Sequence, residues 1–288
     1  MQGQWKNAGV LGLQHDRILM YHGTPRRDAA ALERQLRLLR LAFPVVALDK
    51  LTAGGDGRAR LALTFDDGLR SNVEVAYPIL CKLGLSATFF VCPGLVDRGE
   101  WLWNHEARQR LLSLERPELE ELATLLGAPT GVEAFIEWMK TLKIAARRRV
   151  EEQIRAATAN FKPTAAQREE FELATWKEIE RLDPAVVTIG SHTMTHPILT
   201  SLSPDETEAE TRDSRAVLEK RLGRPVSLFC YPNGDLNDGV LASARRHYRS
   251  AVTVESGRLA SGVDPHRLPR FAAHPQWTQR LARRMVFG

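Results

Sequence analysis

The chain has 288 residues, 43% apolar and 26% charged, which suits a soluble globular protein with one large α/β domain or two small ones. The net charge is +5, but the basic residues are scattered: one run at Arg147, Arg148 and Arg149, and a basic tail around Arg280, Arg283 and Arg284. This speaks for solvated helix faces and against a nucleic-acid stripe, and leaves room for a weak pull toward an anionic membrane surface or acidic glycan. Cys81, Cys92 and Cys230 are odd in number and lack a CxxC pair, which argues against a disulfide framework and a thiolate zinc cluster.

In chain order, short apolar runs read as strands at 18–21 (ILMY), 44–48 (PVVAL), 61–65 (LALTF), 87–91 (ATFFV), 186–190 (VVTIG), 227–231 (SLFCY) and 250–254 (SAVTV). A weaker eighth lies at 267–272 (RLPRFA), where Pro269 removes a ladder donor. Helical patterns separate them. Residues 28–42 align Leu32, Leu36 and Leu39 behind Asp28 as N-cap. Residues 72–83 run from Ser71 to Gly84, with a kink predicted at Pro78. Residues 204–222 open on a Ser203–Glu206 capping box and close at Gly223; Thr175 and Glu178 form another box. The alternation predicts a parallel sheet, open or closed into a barrel. Residues 100–175 break it and read as four or five helices inserted on one face of a single domain spanning 1–288. No apolar stretch is long enough to span a membrane, and the first residues lack a leader pattern, so cytoplasmic residence is the expectation.

Two loops carry chemistry. LALTFDDG (61–68) ends an apolar strand in Asp66, Asp67 and Gly68. Adjacent carboxylates repel unless a cation neutralises one. Side chains that diverge along an extended chain let one ligate a metal while the other addresses a water. Taken alone, the same tripeptide also reads as a polar turn. VVTIGSHTMTHP (186–197) ends a second strand in His192 and His196, spaced to meet one ion if the segment turns helically, or else two surface histidines. No Glu follows His192, so this is not HExxH. Functional groups gather at the carboxyl ends of strands in α/β proteins. One Asp and two His leave positions open for water and substrate, the mark of a catalytic metal site.

TFDDG followed by SHTMTH resembles the first two motifs of the polysaccharide deacetylase family, the NodB-homology or carbohydrate esterase 4 group. ILMYHG, TWKEIERL and FCYPNGD are similar to that family in type and order, so the resemblance covers most of the chain outside 100–175. It implies a distorted (β/α)7-type barrel. It implies Asp66 as catalytic base, Asp67, His192 and His196 as ligands of a divalent metal, usually Zn2+, and a backbone N–H at Asn233, beside Tyr231, as oxyanion donor. Cys230 stands where the family often has an Arg that steadies the base; Arg270 is the candidate substitute, against an ordinary surface arginine. The family's L-x-H general acid is absent; His274 is nearest in position and His22 its rival, while His15, His105, His247 and His266 lack supporting context. Trp101 and Trp103 read either as sugar-stacking residues or as anchors of the inserted helices. The expected activity is removal of acetyl groups from N-acetylated sugars, oligosaccharides or a lipid-linked precursor. The alternatives are O-deacetylation, hydrolysis of a non-sugar amide, and a silent glycan-binding module.

Overall fold

Every residue of the runs at 17–21, 61–65 and 87–91 is buried, as strands covered on both faces require. The computed structural model describes residues 15–51 and 59–287, so the amino-terminal stretch read for a leader lies largely outside it. Among the described residues the strands are β1 (Arg17–Tyr21), β2 (Leu61–Phe65), β3 (Ala87–Val91), β4 (Val187–Ser191), β5 (Leu228–Cys230), β6 (Ser250–Val252) and β7 (Phe271–Ala272). They form one parallel sheet in the order β6-β5-β4-β3-β2-β1-β7. One segment joins its two edges. Leu268 N donates to Ala251 O, Thr253 N to Leu268 O and Arg270 N to Glu255 O, and then Phe271 pairs with Leu19 of β1. The result is the expected distorted (β/α)7 barrel, curled and sealed along this seam.

The run at 44–48 is not a strand. Val45 makes a single bridge to Leu61, and β3 takes the same edge of β2 from Thr64 onward, so no ladder can extend there. The helices are α1 (Ala29–Ala42), α2 (Leu48–Leu51), α3 (Tyr77–Leu83), α4 (Pro93–Arg98), α5 (Trp103–Leu111), α6 (Arg116–Leu126), α7 (Val132–Thr141), α8 (Ile144–Ala157), α9 (Ala165–Phe171), α10 (Trp176–Ile179), α11 (Pro204–Leu222), α12 (Asp238–His247) and α13 (Thr278–Phe287). Both capping boxes form, and Gly223 closes α11 in the left-handed conformation. Asp28 precedes α1 without capping it, because its carboxylate accepts instead from Gln276 Nε2 at 2.7 Å. Pro78 sits at the start of α3, where its missing N–H costs little, and a π-helical turn over Asn72–Ala76 takes up the irregularity. The basic tail forms α13. Buried Arg17 donates to its Met285 carbonyl through Nε (3.1 Å) and Nη2 (3.0 Å), a cation placed at the helix's negative end.

Period-two alternation sorts the strand residues. Ile18, Ala62, Phe90, Leu228, Cys230 and Val252 cluster inside the barrel. Leu19, Leu63, Phe89, Ile189 and Phe229 pack outward with Leu32, Leu36, Leu80 and Leu218 of the surrounding helices. Gly190 makes room within this interior, since a Cβ there would lie 2.5 Å from the Phe90 ring. Gly190→Ala is therefore expected to cost about 1–3 kcal/mol, read as a lower urea midpoint with unchanged slope.

Five helices, α5 to α9, occupy the insertion; α5 to α8 share a small core that includes Trp103, Leu111, Leu122, Phe135, Ile136, Met139 and Ile154, joined by Ile198 from the histidine loop. The insertion then returns directly beside the DDG turn: Arg70 N donates to Glu172 O and Ala174 N to Gly68 O. No helix among the described residues is long and apolar enough to cross a membrane.

Candidate active site

Asp66 follows β2, His192 follows β4 and Cys230 ends β5, so alternation turns all three toward the barrel interior at the carboxyl ends of the strands. Asp67 diverges from Asp66 for a different reason than the extended chain anticipated: it is left-handed, with φ 74°. Gly68 follows at φ 67°, and a Cβ there would sit 3.3 Å from Val91 Cα.

The histidine loop does not turn helically. It is a tight turn with Thr193 at φ 67° and His196 at φ 56°. Glu210 of α11 clamps it, accepting from Met194 N at 2.8 Å, Thr195 N at 2.9 Å and Thr195 Oγ1 at 2.6 Å. Gly94 N donates to Met194 O at 3.0 Å, and Trp103 Nε1 donates to His196 O at 3.1 Å. Such bonds offset the strain of the positive-φ residues.

The outcome is a buried triangle. His192 Nε2 and His196 Nε2 each lie 3.5 Å from Asp67 Oδ1. Donors about 2.1 Å from a tetrahedral zinc sit roughly 3.4 Å apart, so these residues could hold such an ion with little adjustment. His192 Nδ1 is 2.8 Å from the Cys230 carbonyl. A carbonyl only accepts, so Nδ1 carries the proton and the Nε2 lone pair is left facing Asp67. The charges agree. Burial alone would raise Asp67, but the imidazoles around it, His192 first and then His22, His196 and His105, hold it well below the carboxylate range. Burial, then the neighbouring His192, pushes His196 down to about 3, so its imidazole is neutral and able to ligate. His192 itself is driven up against its burial by Cys230 and Asp67, a pull that a cation would answer in place of a proton.

Asp66, Cys230 and His192 also lie close together, but Arg270 fills that side. Arg270 is fully buried and every one of its donors is used. Nη1 meets Asp66 Oδ1 at 2.7 Å and Thr64 Oγ1 at 3.0 Å; Nη2 meets Asp66 Oδ2 at 2.8 Å and Cys230 Sγ at 3.2 Å; Nε meets Thr253 O at 2.8 Å. Burial would raise the Asp66 carboxyl, yet this guanidinium holds it below its ordinary value and therefore ionised.

The remaining candidates are spread more widely. His22, at the end of β1, is exposed and bears electrostatically on both carboxylates. His274 is engaged elsewhere, its Nδ1 accepting from Gln276 N at 3.2 Å and its Nε2 3.9 Å from Asp28. Tyr231 alternates outward, stacks edge-on against Phe229 and donates to His266 O at 3.0 Å. Asn233 is exposed and left-handed, with φ 58°. Trp103 is buried beneath the histidine loop with the Arg147 guanidinium over its face, 4.4 Å from the ring centroid. Two further residues could not be read from the sequence. One is Glu210, whose role depends on packing between α11 and the loop. The other is His105 of α5, which is within electrostatic reach of Asp67 and packs against the Phe171 ring at 4.9 Å with the planes tilted by 53°.

The sequence model of the polysaccharide deacetylases matches residues 53–252, well over half of the chain. The chain belongs to the polysaccharide deacetylase family. Within that family it is 26% identical over 214 residues to YxkH of Bacillus subtilis (strain 168), a protein whose name places it among polysaccharide deacetylases; the match spans 74% of this chain and about half (51%) of the relative. Solved structures share the fold. The Streptococcus pyogenes deacetylase PplD, in complex with acetate, superposes with a TM-score of 0.63 at 20% identity, covering 95% of this chain and 99% of that one. BC0361, a polysaccharide deacetylase from Bacillus cereus, gives 0.61 at 18% identity, covering 95% and 69%.

Proposed function

We propose that this deacetylase is a metal-dependent hydrolase that removes acetyl groups from N-acetylated sugar residues of a glycan. One observation carries the reading: the buried triangle of Asp67, His192 and His196, with the ionised Asp66 beside it at the same strand ends. One carboxylate and two imidazoles suit Zn2+, which when bound supplies Lewis-acid activation of water and of the acetyl carbonyl.

The chain's own residues do the rest. Asp66 accepts the proton of the attacking water, and Arg270 fixes its orientation through two parallel hydrogen bonds. The Cys230 carbonyl sets the His192 tautomer, and Glu210 and Trp103 hold the loop that presents His196. A backbone N–H at Asn233 serves the oxyanion, and a histidine at the cleft, His22 by its placement, delivers a proton to the leaving amine. Acetate and a free amino sugar result.

The test measures acetate release from N-acetylated nucleotide sugars, lipid-linked sugars and chito-oligomers, with zinc supplied. Wild-type protein is expected to release acetate and a free amine. His196→Ala is expected to lose the ion, read by elemental analysis, and activity with it. Zinc content equal to wild type in His196→Ala would remove the metal site from the proposal, and a product bearing a free hydroxyl in place of the amine would reassign the bond cleaved.

A further inference from the structure

α13 lies beside α1 and runs in the same direction. Gln35 Nε2 donates to Thr278 Oγ1 at 3.2 Å, and further along each helix the Arg17 guanidinium reaches both the Met285 carbonyl and the Phe43 ring. Leu38, Leu39, Ala42, Leu281, Ala282 and Met285 line the groove between them, which holds about 240 Å³. Leu38 is 51% exposed, and Leu41, the next turn of α1, is 82% exposed, more than any other large apolar side chain described. Single exposed leucines are ordinary, but a pair beside an apolar groove marks a surface with a partner. Both helices leave the carboxyl ends of their strands, β1 and β7, and run back along the flank of the barrel. A partner seated there leaves the candidate active site uncovered.

Charge identifies the partner. α1 holds three arginines and one glutamate, and α13 three arginines and no acid, so the two helices carry a net +5, as much as the whole chain. Glu33 is already taken up by Arg37 at 2.6 Å and Lys82 at 2.9 Å. Arg34, Arg280 and Arg283 are exposed and meet no carboxylate among the described residues. In the insertion, by contrast, Arg108, Arg110 and Arg155 are each paired with a glutamate. A second copy of the chain docked about a two-fold axis would bring the unpaired arginines against one another. An anionic bilayer answers both features. Leucines enter the headgroup boundary, while arginine stems lie along the apolar face and their heads reach the lipid phosphates.

We propose that the face formed by α1 and α13 docks the protein on an anionic phospholipid bilayer, through Leu38 and Leu41 and the arginines around them. The claim stands apart from the deacetylase reading. Its test sediments the full chain with vesicles of phosphatidylcholine alone and of phosphatidylcholine mixed with phosphatidylglycerol. Binding is expected to the mixed vesicles only, and to fall about 10-fold or more when salt is raised from about 0.1 M to about 0.5 M. Arg34→Gln with Arg283→Gln should weaken it about 10-fold or more. Arg148→Gln with Arg149→Gln removes the same charge from exposed positions on α8 and should change binding less than about 2-fold. Leu38→Ser with Leu41→Ser should weaken binding about 10-fold with the circular dichroism melt preserved. Absence of binding, equal binding to both vesicles, or equal losses from the two arginine pairs overturns the docking face. A dimer in sedimentation velocity that Leu38→Ser with Leu41→Ser dissolves assigns the face to a second copy and overturns it too. Acetate release from a soluble chito-oligomer should be the same in all these variants, so a failure of vesicle binding and a failure of the deacetylase reading are seen separately.

Discussion

Replacing Arg270 with methionine should cost roughly 3–5 kcal/mol of stability, because it strands the Asp66 carboxylate in the barrel interior without a counter-charge. The pH dependence separates this from a simple packing defect. In the wild type the folded-state pKa of Asp66 is depressed, so its ionisation favours folding above the unfolded carboxylate range, and that contribution fades as pH falls through the folded value. In Arg270→Met the largest influence opposing burial of Asp66 is gone and only the weaker fields of His192 and His22 remain, so the sign is expected to reverse and the folded pKa to rise above the unfolded one. The variant is then penalised at neutral pH and partly relieved in acid, where a protonated Asp66 tolerates burial. Urea titrations at neutral pH and near pH 4 should show the gap to wild type narrowing in acid. A gap independent of pH would mean that the ion pair is not what the substitution breaks.

On the proposed role of Asp66 as proton acceptor outside the ligand triangle, Asp66→Asn should lower turnover roughly 10²–10⁴-fold while metal content matches the wild type. Asparagine also removes the charge facing Arg270, so some stability is lost. Activity should therefore be assayed well below the melting temperature, alongside circular dichroism and metal content. The double variant Asp66→Asn with Arg270→Met removes both buried charges. It should recover stability but not turnover, a non-additivity expected of two groups acting as one unit. Full activity in Asp66→Asn would sink the assigned base.

Most of the barrel could be read from the chain because its strands are apolar runs of the right length with turn residues behind them. Runs 61–65 and 87–91 match β2 and β3 residue for residue, and the capping signals of α11 fix both its ends. The run at 44–48 misled because composition says nothing about whether a sheet edge is free. The site was legible as far as its donors are local to strand ends. Asp66 and Asp67 are neighbours in sequence, and His192 and His196 share one loop. What the sequence hid depends on distant segments meeting: Glu210 under the histidine loop, and His105 set against Phe171 where the insertion returns; Arg270, 204 positions from Asp66, is offered only by the family resemblance, as the substitute for the missing arginine.

The strip that seals the barrel also delivers Arg270 to Asp66, so closure and the alignment of that carboxylate are one event. A chain still emerging from the ribosome has both aspartates and both histidines long before residue 270 is made. It would lack the guanidinium until that strip is made. Removing residues 269–287 should act in the same way, releasing the clasp without touching Asp67, His192 or His196, so the alignment of Asp66 can be lost with the candidate ligands all still in the chain.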